Sequence, residues 1–233
     1  MKKIEKLYYR LKNQTAFEKR YPIFKEDDGK IHLLFISAPL SRAGYYRVIA
    51  PALELGRTGS HAAIISNIHK QDFTRPFGHY DSPVDEQLIR WAHYIVLPAM
   101  LTDAAYILKA LKAKNNDVQF VMDLDSNLHA IPKQHPYYLK ITQEQKKQLL
   151  ANIARMNIIT GSSEGMLRYY DDLLNRHYPD AGVYMEYLPD LVSSLAYRHL
   201  PTPIGHETIR LRIGIITSGG AAYDVLSIRS VLK

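Results

Sequence analysis

Six short apolar runs, at residues 31–37, 62–65, 94–97, 118–122, 157–160 and 183–187, recur along the chain with polar, helix-like stretches between them. Each run is apolar at consecutive rather than alternate positions, which is how strands read when both sheet faces are covered. The first is followed by a loop over 38–44 and then by Tyr46, Ile49, Ala50, Leu53 and Leu55 at helical spacing, ending at Gly56 or Gly59. Further helices are predicted from a Thr102-Asp103 cap to about Lys114, over 143–155, and from Ser163 to about Asn175. Strands separated by helices admit few architectures. The pattern predicts an α/β, Rossmann-like fold with a mostly parallel sheet flanked by helices.

The 233 residues suffice for one large domain, or one domain and part of another. Leu200-Pro201-Thr202-Pro203-Ile204-Gly205 reads as a linker, followed by a strand over 209–216, a Thr217-Ser218-Gly219-Gly220 turn and a helical start from Ala221. The expected organisation is one domain over 1–200 and the first strand and helix of a second over 201–233, in a polypeptide expected to continue past Lys233. The alternative is that this last unit completes the first sheet. Residues 1–14 read as a basic amphipathic helix, with Ile4, Leu7, Tyr8 and Leu11 on one stripe. It docks on the domain body or lies on an anionic membrane surface.

With no cysteine, disulfide frameworks, thiolate metal sites and cysteine nucleophiles are excluded, as fits a reducing cytoplasm. No apolar run approaches the roughly 20 residues of a membrane span, and no secretory signal is present. A net charge of +7 favours anionic ligands such as phosphates. The basic residues are scattered, so nucleic acid is not the expected partner.

Four strand-end segments could matter, because open parallel sheets bind ligands outside the carboxyl ends of their strands; the fourth, 187–190, follows the last strand and is placed to shape the hinge. The first, 37–47, leads into a helix start and either supplies Arg42, Gly44, Tyr45 and Arg47 for a phosphate or carboxylate or is a plain connecting loop. It lacks the Gly-x-Gly-x-x-Gly dinucleotide fingerprint. In the second, Asp123 and Asp125 follow a buried run, with His129 nearby. Such a pair can hold a divalent ion on nucleotide-sugar phosphates, supply a general base, or simply order the loop. The third places Ser162 and Ser163 before a helix, as caps or as hydroxyls lining a cleft. P-loop, Gly-x-Ser-x-Gly and His-Glu-x-x-His signatures are absent.

In order and spacing these pieces resemble glycosyltransferases of GT-B fold, in particular the broad family 4 group. Residues 44–55 are similar to that group's "YRv..Pa..L" helix, 122–132 to its acidic strand end before a proline loop, and 156–163 to its "aD.it.sS" segment. Residues 183–192 are similar to its hinge strand, with Asp190 where asparagine is usual, and 209–226 to the opening of its second domain. The resemblance spans about residues 31–233. It implies that 1–200 is the acceptor-side domain of an enzyme moving a sugar from a nucleotide-sugar to a saccharide or lipid-linked acceptor. It implies Asp123 or Asp125 as catalytic, and acceptor contacts at Arg42, Gly44, Tyr45, Arg47, His129, Ser162 and Ser163. Ser218, Gly219, Gly220 and Asp224 would belong to the donor-side loop, beyond which the main donor motif would lie. It implies no metal and no cofactor besides the donor, a cytoplasmic site of action with peripheral membrane contact, and a 233-residue piece inactive by itself. Two rivals stand: a metal-dependent GT-A transferase using Asp123 and Asp125, and a non-catalytic Rossmann-like binding module.

Overall fold

The computed structural model of the chain describes residues 17–25, 27–36, 38–40, 42–66, 68–70, 85–133 and 138–190. The expected helix over 1–14, the linker over 200–205 and the unit over 209–233, with Ser218, Gly219, Gly220 and Asp224, lie outside the described residues.

Strands β1 (Ile31–Phe35), β3 (His61–Ile65), β5 (Tyr94–Pro98), β6 (Gln119–Leu124), β7 (Ile158–Gly161) and β8 (Tyr184–Tyr187) form one sheet in the order β3-β1-β5-β6-β7-β8. Every pairing is parallel. The chain is therefore an α/β protein with a Rossmann-like parallel sheet, as its alternating runs predict. Two three-residue strands, β2 (Ala38–Leu40) and β4 (Ile68–Lys70), pair in a separate small sheet. The sequence predicts a loop over 38–44, because three residues are too few to show a strand period.

Seven helical segments are present among the described residues, α1 (Phe17–Arg20) ahead of the first strand and, between strands, α2 (Arg42–Gly44), α3 (Ala50–Arg57), α4 (Glu86–Trp91), α5 (Ala105–Lys114), α6 (Gln143–Ile153) and α7 (Glu164–His177). Between α2 and α3 the coil widens into a π-helical turn over Tyr45–Ile49, where the Ala50 N–H donates to the Tyr45 carbonyl. Pro51, in the first turn of α3, accounts for the widening. It has no N–H to continue the ladder, and its ring would crowd the carbonyl four residues back in a regular α-helix.

Alternate strand residues feed two cores on opposite sheet faces. Leu34, Ile95, Leu97, Met122, Leu124 and Ile159 pack with α4, α5, α6 and α7, through Leu88, Leu108, Leu149, Ile153 and Tyr170 among others. Phe35 packs on the other face with Val48 and Ala52, joined by Leu33, Ala63, Ile65 and Val96. The division follows from strand order. The chain steps from β1 to β3 in one direction, then returns past β1 to β5 and continues the other way. Crossovers of one hand running in opposite directions must cover opposite faces. The reversal leaves a switch point between β1 and β5, where such sheets bind ligands.

The expected helices begin after Thr102-Asp103, at Gln143 and after Ser163, and a further one, α4, is present. Asp103, not Thr102, serves α5, accepting from the Ala105 N–H at 2.9 Å. The Thr102 carbonyl is held instead by the Asn152 amide at 2.8 Å. Helix α6 opens with a reciprocal capping box between Thr142 and Gln145. Helix α4 was not foreseen: six residues give too little periodicity, yet buried Asp85 caps it by accepting from the Gln87 N–H.

Candidate active site

The site is built from strand ends. Register puts Asp123 level with Pro98 of β5 and with Thr160 of β7, and Thr160 level with Glu186 of β8. This rung is the carboxyl edge of the sheet, two strands from β1. Arg47 reaches it from the π-helical turn on the far side of the switch point.

Arg47 is 6% exposed, and its guanidinium makes four contacts. Nε donates to Asp123 Oδ2 at 2.9 Å and Nη2 to Asp123 Oδ1, a bidentate fork. Nη1 donates to the Leu188 carbonyl at 2.6 Å and to Asp190 Oδ1 at 3.1 Å. Burial alone would depress the Arg47 pKa; the carboxylates of Asp123 and Asp190 outweigh it and raise it. Asp123 is further held by the Thr160 hydroxyl, which donates to Oδ1 at 2.5 Å. The first and second sequence candidates, Arg47 and Asp123, are thus brought together, and each occupies the other.

Asp125 is different. It lies just beyond the end of β6 with its side chain exposed, and the Ser162 hydroxyl donates to its backbone carbonyl at 3.3 Å. Its carboxyl is pushed above the usual range, first by the protein mass around the strand end and then by the neighbouring Asp123 charge. Arg47 and the Ser126 hydroxyl oppose that shift without cancelling it. The side chain touches solvent, but many protein atoms surround it at longer range, so water screens it less than its exposure suggests.

His129 sits in the loop that follows. Asn127 Oδ1 accepts from the N–H groups of His129 and Ala130, at 3.2 and 3.1 Å, and so shapes this loop. The ring is half-buried and lies edge-on to Tyr170, with Nδ1 3.3 Å from the phenol oxygen. Burial, reinforced by the Lys146 ammonium, lowers the His129 pKa to about 4. The ring is therefore neutral at physiological pH. The phenol and Nδ1 are within hydrogen-bond distance, and the imidazole tautomer sets which of the two donates. Burial pushes the Tyr170 hydroxyl far above its ordinary value, which keeps it protonated.

The remaining candidates are less engaged. Arg42 opens α2 and Gly44 is buried at its end. Tyr45 is exposed at the surface of the π turn, its ring edge-on to Tyr46. Ser163 occupies the N-cap position of α7 but makes no side-chain cap bond, and Ser162 is committed to the Asp125 carbonyl. Gly161, between these loops, is needed for close packing: a Cβ there would stand 2.8 Å from Leu167 Cδ2. Lys146 and Tyr170 join the site without any sequence signal, while Thr160 and Asp190, from the third and fourth strand-end segments, join it through contacts to Asp123 and Arg47. A hydroxyl level with Asp123 on the next strand is a signal that only the register supplies.

Among the described residues no group of three or more His, Asp or Glu side chains is arranged to hold a metal ion. No described helix is long and apolar enough to cross a membrane. The sequence matches no protein-family model, and a search of curated proteins finds no relative.

Proposed function

We propose that this chain is the acceptor-receiving domain of a glycosyltransferase that moves a sugar from a nucleotide-activated donor to a saccharide or lipid-linked hydroxyl. Asp125 takes the acceptor proton as the acceptor oxygen bonds to the anomeric carbon and the bond to the nucleotide phosphate breaks. One observation carries this reading: an exposed carboxyl at the carboxyl edge of a parallel sheet beside its switch point, held above its ordinary value by desolvation and by the Asp123 charge. His129, neutral and partly exposed, offers an uncharged ring suited to a sugar rather than to a phosphate. Arg47 is spent on protein acceptors, so acceptor recognition rests on hydroxyl contacts more than on a phosphate cradle. A metal bridging Asp123 and Asp125 would first have to displace Arg47 from both oxygens of Asp123. The reaction would take place in the cytoplasm, where nucleotide-sugars are made, with the basic N-terminus offering peripheral membrane contact.

The test is nucleotide release from a panel of nucleotide-sugars with saccharide and lipid-linked acceptors, by a protein that also carries a donor-side domain, with and without Asp125→Asn. A loss of roughly a hundredfold or more in turnover, with acceptor binding kept, is the expected outcome for a lost base. Equal turnover would sink the base assignment. Acceptor binding without transfer from any donor would favour a binding module.

A further inference from the structure

The contacts of Arg47 go to segments that the sheet itself does not join. Asp123 ends β6, Leu188 and Asp190 follow β8, and β7 lies between. Neighbouring strands are about 4.8 Å apart, so β6 and β8 stand about 10 Å from each other and cannot share a backbone hydrogen bond. A planar guanidinium bonded on its Nε/Nη2 edge to one segment and at Nη1 to another spans that gap as a rigid piece. The exit is fixed from both sides: the Leu188 N–H donates to the Gly161 carbonyl at 2.9 Å, and its own carbonyl accepts from Arg47 at 2.6 Å.

We infer that Arg47 is a positioning residue, whose one buried guanidinium holds the acidic end of β6 and the chain leaving β8 in a single shared geometry. The Asp125 loop and the exit at 188–190 are then set together, and whatever pulls on the exit is felt two residues from the proposed base. This rests on the proposed function only in giving Asp125 its role. The groups facing the Asp125 carboxyl are Asp123 on β6, Arg47 from the π turn, Ser126 in its own loop and Tyr170 from α7. Arg47 is the cation among them, and its removal leaves two carboxylates facing each other.

The experiment uses the 233-residue chain with Arg47→Gln and Arg47→Lys, read by amide hydrogen exchange and by carboxyl titration of Asp125 in NMR. Arg47→Gln is expected to speed exchange at 123–126 and at 187–190 together, by tenfold or more, with β1 and α6 unchanged, and to move the Asp125 titration upward. Arg47→Lys keeps the charge but not the fork; it is expected to speed exchange at both segments while leaving the Asp125 titration close to that of the parent. Acceleration confined to one segment in both variants, or parental exchange in Arg47→Lys, would overturn the inference. If Arg47→Gln speeds exchange throughout the sheet, it reports loss of the fold, and Arg47→Lys decides. Neither readout needs sugar transfer, so a protein that transfers nothing would remove the proposed function and leave this coupling standing.

Discussion

Arg47 and Asp123, 76 residues apart, meet as a buried bidentate ion pair across the switch point of the sheet, with side chains only 5% and 9% exposed. Both charges have been taken out of water, so the pair stabilises the fold only while both members are present. Asp123→Asn or Arg47→Met alone is expected to cost about 3–5 kcal/mol, because each strands the other charge in a buried place. The double variant should cost clearly less than the two singles combined. Urea midpoints for the four proteins of the cycle check this, and strict additivity would mean that the two residues do not depend on each other.

How much of this was legible in the sequence depended on range. The parallel sheet was, since all six long strands coincide with apolar runs, and so was the candidate edge, since Asp123 and Asp125 directly follow a buried run. The difference between those carboxylates was not. It depends on Arg47, whose neighbours in sequence, Tyr46 and Val48, suggest only one more turn of an amphipathic helix. The π turn that carries Arg47 follows from Pro51, yet a proline near a helix start is ordinarily taken as its first turn. Helix α4 is not legible because six residues carry too little periodicity, and its cap, Asp85, is held by the Tyr21 hydroxyl at 2.6 Å, 64 residues away.

Asn152, fully buried in α6, is the second polar fastening of the fold. Its amide donates to the carbonyls of Met100 and Thr102 at 2.9 and 2.8 Å, and its oxygen accepts from the Ala104 N–H at 3.3 Å. It replaces the strand ladder for the β5–α5 connection, which otherwise leaves buried backbone groups without partners. Asn152→Leu should cost about 2–4 kcal/mol in spite of its greater hydrophobicity, since two carbonyls lose their donor. Thermal unfolding measures the loss. A stabilised Asn152→Leu would show that water satisfies the loop.

At the opposite edge of the sheet, buried His32 lies between the rings of Trp91 and His93, at centroid distances of 4.2 and 4.7 Å. Both its nitrogens face acceptors, the Trp91 carbonyl at 3.0 Å and Asp28 Oδ1 at 2.8 Å. Stacking and hydrogen bonding can be separated by substitution. His32→Phe keeps the stack and should cost about 1–3 kcal/mol from the unmet acceptors. His32→Leu loses the ring contacts as well, a further cost of about 0.5–1.5 kcal/mol. Denaturation midpoints in the order parent, Phe, Leu are expected; equal midpoints for Phe and Leu would assign the whole effect to hydrogen bonding.

His129 gives the pH dependence its sign. Its folded-state pKa, about 4, lies below its ordinary value of 6.5, so the unfolded chain binds the proton more readily. The stability it contributes is full above about pH 6.5 and is lost as the pH falls toward about 4. A shift of this size corresponds to about 1–3 kcal/mol for a half-buried ring. The Lys146 ammonium, which donates to the His129 carbonyl at 2.8 Å, works in the same direction by disfavouring a second positive charge. His129→Gln should therefore flatten the stability profile between pH 4 and 6.5 while changing it little at pH 8. Lys146→Gln should move the midpoint of the acid-side loss upward. Urea denaturation at half-unit pH steps resolves both, and an unflattened profile in His129→Gln would assign the acid sensitivity to the carboxylates instead.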